Sequence, residues 1–201
     1  MALINVAKRE IQCKIVYYGT GFCGKTTNLQ YIHSHAPQPA RGDLLSIATE
    51  SERTLFFDFL PLDLGQVHGF RVRFALYTVP GQVLYERTRV AVLNGVDGIV
   101  FVADSTPEKL EENFQNLLEL EMNMRRMGRD LGAFPFVMQW NKRDLPNAVP
   151  VPVMDRYLNR RRAPAFAASA VTGEGVFPTL RAICAGVACG SRSSAYQTSA
   201  R

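Results

Sequence analysis

Residues 19 to 28 read GTGFCGKTTN and directly follow the apolar run Ile15-Val16-Tyr17-Tyr18. No other stretch constrains the fold as much. Its glycines, Gly19, Gly21 and Gly24, allow backbone conformations that a Cβ forbids. Gly19 and Gly24-Lys25-Thr26 match the spacing G-x-x-x-x-G-K-[ST]. A loop of this kind lets backbone N–H groups curl around a β-phosphate. A helix opening at Lys25 adds the partial positive charge of its N-terminus. Lys25 is then placed to reach the β and γ phosphates. Thr26 can offer a hydroxyl to Mg²⁺, with Thr27 beside it at the phosphates. The competing reading is a plain glycine turn between strand and helix, with Cys23 a small residue that fits.

A phosphate loop needs a strand before it and a helix after it, and the chain supplies both. Lys14 to Tyr18 reads as a strand and Lys25 to His35 as a helix. Residues 40 to 53 look loop-like. Leu55 to Leu64 and Phe70 to Val79 read as strands, the second alternating through Phe70, Val72, Phe74 and Leu76. The short turn between them makes an antiparallel hairpin. Gly98 to Ala103 and Phe134 to Trp140 are continuous apolar runs, as in strands covered on both faces. Between them Leu110, Phe114, Leu117 and Leu118 recur at helical spacing and are expected in the core. Ser105 and Glu108 suggest a capping box. A helix over Val151 to Arg161, a strand over Ala165 to Ala168 and a helix over Phe177 to Val187 complete the domain. The fold class is α/β: a mixed, mostly parallel sheet with helices on both faces. A short extra strand is expected within Ile4 to Lys8. Residues 1–189 read as one domain, and 190–201 as a polar, disordered tail.

Composition narrows the classes. With 47% hydrophobic residues in 201, a real core is affordable in length alone. The net charge of +5 predicts solvated basic faces rather than a nucleic-acid partner, the run Arg160-Arg161-Arg162 included. No apolar run reaches the ~18 residues of a membrane span. Ala2 and the last four residues carry no lipidation signal, so no stable membrane anchor is expected. The four cysteines show no C-x-x-C spacing, which predicts free thiols and a cytoplasmic location. His33 and His35 diverge on a helix and do not read as a metal pair.

A phosphate loop names no base. "QWNKRDLP" places Asn141-Lys142-Arg143-Asp144 at the end of a buried strand, the edge where ligands bind in open α/β sheets. There a carboxylate at Asp144 can accept from guanine N1–H and the 2-amino group. The Asn141 amide can meet N7, and the Lys142 stem can lie over the base. Adenine would leave Asp144 unpaired. "ASAVTGEG" puts Ser169 and Ala170 after the next strand, where a backbone N–H can meet guanine O6.

This ordered set resembles the Ras-like small GTPases, and most closely the MglA-type bacterial branch (mutual gliding-motility protein A). The segments carrying the likeness are "REIQCKIVYYG", "CGKTTNLQYI", "ERTLFFDFLPLDLG", "LYTVPGQ", "GVDGIVFVADS" and "NKRDLPNAV". They span roughly residues 3 to 188 and imply a Ras-like P-loop domain with a six-stranded mixed sheet. The likeness further implies GTP and GDP as bound nucleotides, with Mg²⁺. Gly81 would bond the γ-phosphate and Gln82 would orient the attacking water. Thr54, with Thr49 a rival, would sense the γ-phosphate and Mg²⁺. Thr78 stands where most Ras-like proteins carry aspartate and would hold a Mg²⁺-bound water without charge. Arg53 would be an arginine finger supplied in cis, a device worth about 10³- to 10⁵-fold in rate. By the same likeness the output is bacterial polarity or gliding motility, with polarity or motility effectors and recruitment to cell poles. The regulator would be a Roadblock-domain, MglB-like activating protein. A GTP-binding scaffold without hydrolysis is the alternative function, and an ATP-using P-loop enzyme a second one.

Overall fold

The computed structural model describes residues 3–47, 57–67, 69–80 and 86–198. The P-loop strand is β2 (Glu10–Tyr18), and the helix it feeds is α1 (Lys25–His35). β2 is longer than its apolar half suggests, because Glu10 to Gln12 pair with both β1 (Leu3–Asn5) and β5 (Phe70–Thr78). α1 starts where Gly24 takes φ +99°, and it stops at Ala36, before Pro37.

Eight strands form one sheet in the order β3-β4-β5-β2-β6-β7-β8, with β1 antiparallel to β2. The parallel part comprises β5, β2, β6 (Gly98–Asp104), β7 (Phe136–Asn141) and β8 (Ala165–Ala167). β4 (Phe57–Val67) runs antiparallel to β5, as the hairpin reading expects. Residues 40 to 53 are not all loop: Leu45–Ile47 form β3, which pairs with Phe57–Phe59 and makes that edge of the sheet. β4 is therefore an inner strand, and Phe57 and Phe59 pack against Tyr77 rather than lying at an edge.

Alternation sorts the side chains onto two faces. Ile15, Tyr17, Leu60, Leu76, Val100 and Val102 meet α1 and the last helix, α5 (Val176–Thr198). Val16, Tyr18, Ile99, Phe101, Met138 and Trp140 meet α2 (Glu86–Leu93), α3 (Leu110–Arg126) and α4 (Val151–Leu158). β6 is buried throughout on both sides, the reason its sequence lacks alternation. Burying a Leu- or Ile-sized side chain is worth about 1.5–3 kcal/mol, so these two layers carry most of the stability.

Four local expectations are corrected. α3 turns Asn113, Asn116, Leu117, Leu120, Asn123 and Met124 inward, so Leu118 faces solvent at 38% exposure. Leu117 is buried and Leu110 and Phe114 pack against the core, so Leu118 alone leaves the expected stripe, and three asparagines share the buried face. No capping box forms at Ser105; a 3-10 turn over Pro107–Lys109 precedes α3, and Asp104 Oδ1 accepts from the Thr106 N–H and hydroxyl. α5 continues past Cys189 to Thr198, so the segment read as a disordered tail is helical through that residue. No proline follows Pro178, and the Ala- and Ser-rich run that follows permits helix. α4 also ends at Leu158, and the arginines after it lie in a loop where Arg161 pairs with Glu121 and Arg160 covers the Phe114 ring. No helix among the described residues is long and apolar enough to cross a membrane.

Candidate nucleotide and metal site

The parallel strands all point their C-terminal ends to one edge. That edge gathers the loop after β2, Thr78 of β5, Asp104 of β6, Asn141 of β7 and the loop after β8. Successive crossovers leave β2 in opposite directions, to β5 and to β6, which makes a switch-point crevice beside the P-loop.

The loop can only be built with glycine at its ends. A Cβ on Gly19 would lie 2.2 Å from the Val102 carbonyl oxygen, and one on Gly24 would lie 2.2 Å from Asn141 Nδ2. Lys25 is buried, and its Nζ donates to the Gly19 and Thr20 carbonyls at 2.9 and 2.6 Å. Gly21 and Thr27 lie half-buried on the same loop and first helical turn, and Thr26 is exposed. Phe22, which the sequence did not single out, stands exposed at φ +61°.

Asn28 anchors this turn from below. Its amide donates to the Gly24 carbonyl at 2.9 Å and exchanges hydrogen bonds with Gln139, which also donates to Thr179 of α5.

At the opposite end of the crevice Asn141 bridges two loops. The Asn141 amide donates to the Cys23 carbonyl at 2.7 Å, and its oxygen accepts the Ala170 N–H at 2.9 Å. These two bonds form a clip that joins the P-loop to the Ser169-Ala170 loop. Buried, both groups satisfy each other. Ser169 closes its own loop, its N–H donating to Glu174 O and its hydroxyl accepting from the Thr172 N–H. Lys142 takes φ +69° and sets its Nζ 2.5 Å from Asp104 Oδ2, a carboxylate that is 1% exposed. Asp144 is exposed, free to accept from a ligand.

The metal end holds the residue that sequence reading passed over. Asp58 is buried, on the same face of β4 as Leu60 and Leu62. Its Oδ2 accepts from the Thr26 hydroxyl at 2.6 Å and the Thr78 hydroxyl at 2.9 Å; its Oδ1 accepts from Ser46 at 2.7 Å. Its own N–H donates to Thr78 Oγ1 at 2.8 Å. Strand register explains this: Ser46 is opposite Asp58 on β3, and Thr78 is one step beyond the Phe59–Tyr77 pair on β5. A signal existed in the sequence. An aspartate occupies an inward position of an apolar strand, and a threonine occupies the place of the usual aspartate nearby. Hard cations such as Mg²⁺ take oxygen donors, one or two carboxylates and substrate phosphates, and this donor set fits. Among the described residues no group of three or more His, Cys, Asp or Glu assembles, so a protein-only transition-metal cage is not built there. Arg53, Thr54, Gly81 and Gln82 lie outside the described residues, as does Thr49.

No family model matches the chain. It is, however, 56% identical over 183 residues to the mutual gliding-motility protein MglA of Myxococcus xanthus (strain DK1622), covering 91% of this chain and 94% of that protein. The chain belongs to the MglA-type family of Ras-like small GTPases. Its sheet and layers are accordingly a Ras-like P-loop GTPase fold. One strand goes beyond the expected sheet, the short β3 that brings Ser46 onto Asp58; the extra N-terminal strand expected within Ile4 to Lys8 is β1, placed at Leu3–Asn5. Membership in this family carries guanine-nucleotide and Mg²⁺ binding as general properties.

Proposed function

We propose that the chain is a GTP/GDP switch that hydrolyses GTP slowly by itself and acts in bacterial gliding motility or cell polarity. The observation that supports it most is the convergence of Lys25, Asn141, Asp144 and Asp58 on one sheet edge, in a chain 56% identical to MglA. In this reading Gly19, Gly21, Gly24, Lys25, Thr26 and Thr27 hold the phosphates. Asp144 reads the base, with Lys142 over its face. Asn141, Ser169 and Ala170 hold the pocket's walls in place. Thr54 and Gly81 meet the γ-phosphate, Gln82 orients water, and Arg53 stabilises developing charge in cis. An MglB-like Roadblock-domain protein would bring the last two into place, and the protein would work in the cytoplasm with recruitment to cell poles.

Bound Mg²⁺ would neutralise charge on the β and γ phosphates. Thr26, Asp58 and Thr78 would hold it, with Asp58 providing the carboxylate that Thr78 lacks. Hydrogen bonds to a charged group are worth about 1.5–3 kcal/mol, so losing this carboxylate must show in nucleotide retention. Asp58→Asn is expected to release GDP about tenfold faster in Mg²⁺, and chelating Mg²⁺ should then add little. If Asp58→Asn kept the full Mg²⁺ response of the unaltered protein, Asp58 would not belong to the metal site.

A further inference from the structure

Lys142 stands between Asn141 and Asp144 at the ligand edge of the sheet, and both of its ends are fixed. Its backbone takes φ +69°, a left-handed conformation uncommon for a residue with a Cβ. Its Nζ lies 2.5 Å from Asp104 Oδ2, at the end of β6. Asp104 is 1% exposed, and a carboxylate so buried must be kept paired. The rest of Asp104 is held as firmly. Its Oδ1 accepts from the Thr106 N–H and hydroxyl at 3.0 and 2.9 Å. Its own N–H donates to Asn113 Oδ1 at 3.2 Å, and its carbonyl accepts from Asn113 Nδ2 at 2.8 Å. Asn113 is itself fully buried on α3.

This pairing changes what Lys142 can do. A lysine is ordinarily a point charge on a flexible stem. Here, swinging the ammonium away would leave Asp104 buried and unpaired, a costly change. The charge is therefore committed inward, and the methylenes between Cα and Nζ are the part left to meet a ligand. The Lys142 side chain is 32% exposed, so that stem keeps an open side. An apolar stem beside Asp144 can cover the face of a flat base, and it offers that base no hydrogen bond. Backbone strain persists where its surroundings over-determine it, and such positions cluster at ligand clamps.

We propose that Asp104 is a positioning residue for the bound nucleoside: clamped by Asn113 and Thr106, it pins the Lys142 ammonium and so lays the lysine stem across the base as a fixed apolar wall. This deepens the reading of the chain as a guanine-nucleotide switch and rests on it. Asp104 touches no part of the nucleotide in this role.

The test compares GDP with pyrophosphate, which offers two phosphates and no nucleoside. Asp104→Asn keeps the shape of the side chain and removes its charge. It should weaken GDP and ADP alike by about tenfold. The preference for GDP over ADP, and pyrophosphate binding, should stay within about twofold of the unaltered protein. Lys142→Met keeps an apolar stem, loses the ammonium that pins it, and should weaken GDP by a similar factor. The double variant should be no more than about twofold weaker than the poorer single, because both act through one contact. Unchanged GDP affinity in Asp104→Asn, an equal loss of pyrophosphate, or additive losses in the double variant would each overturn the proposal. Should Asp104→Asn not fold, Lys142→Met carries the same comparison, and full GDP affinity there would overturn the proposal equally. Failure of the unaltered protein to bind GDP would sink the nucleotide-switch reading instead.

Discussion

Lys25→Ala should weaken GDP binding by about 10²- to 10⁴-fold, the equivalent of two lost charge-assisted contacts at about 1.5–3 kcal/mol each. The argument starts from burial. An ammonium that is 7% exposed must be kept paired, and here the Gly19 and Thr20 carbonyls hold it at the mouth of the loop. Phosphate oxygens are stronger partners than carbonyls, so the same side chain can swing to them at little cost. Alanine removes that charge and also leaves two loop carbonyls short of a donor. A melting curve must therefore accompany the titration. A folded Lys25→Ala protein that still binds GDP within about threefold of the unaltered chain would remove the phosphate loop from the account.

The second large effect is on selectivity. Asp144→Ala is expected to collapse the preference for GDP over ADP by about 10³-fold or more, since sites built to hydrogen-bond a group discriminate by about 10⁴–10⁵. Asn141→Ala should behave differently. Its amide is committed to Cys23 O and the Ala170 N–H, so its loss should loosen two walls of the pocket and weaken both nucleotides alike. Competition of GDP and ADP for each variant reads both outcomes. Unchanged selectivity in Asp144→Ala, or a selectivity loss confined to Asn141→Ala, would reverse the assignment of the base reader.

This division of labour shows what a sequence carries and what it hides. Chain-local features were legible: the glycine loop, the helix from Lys25 to His35, the hairpin and the doubly buried run at Gly98. Each is set by backbone freedom or by periodicity within a few residues. Contacts set by register were not. Asp58 meets Ser46 and Thr78 only because β3, β4 and β5 align in one row. The short β3 carries too few residues for alternation to announce it. The inward asparagines of α3 misled the periodic reading because Asn113 satisfies the Asp104 backbone with both ends of its amide.

Asp58 and Thr78 also show how one departure can offset another. In the proposed metal site the threonine at the strand end would give up a charge, and an aspartate one strand away, 2.9 Å from that hydroxyl, would restore it. A carboxylate so buried is tolerable because three hydroxyls and its own strand position hold it.

The central claim is that this site turns over GTP. Single-turnover GTP hydrolysis by the purified protein, with and without Mg²⁺, tests it most directly. The account predicts slow, Mg²⁺-dependent hydrolysis on the order of 10⁻⁴ per second, the scale of an unassisted Ras-like site, and no comparable turnover of ATP. Tight GTP binding with no hydrolysis above that of buffer would contradict it and leave a nucleotide-binding scaffold.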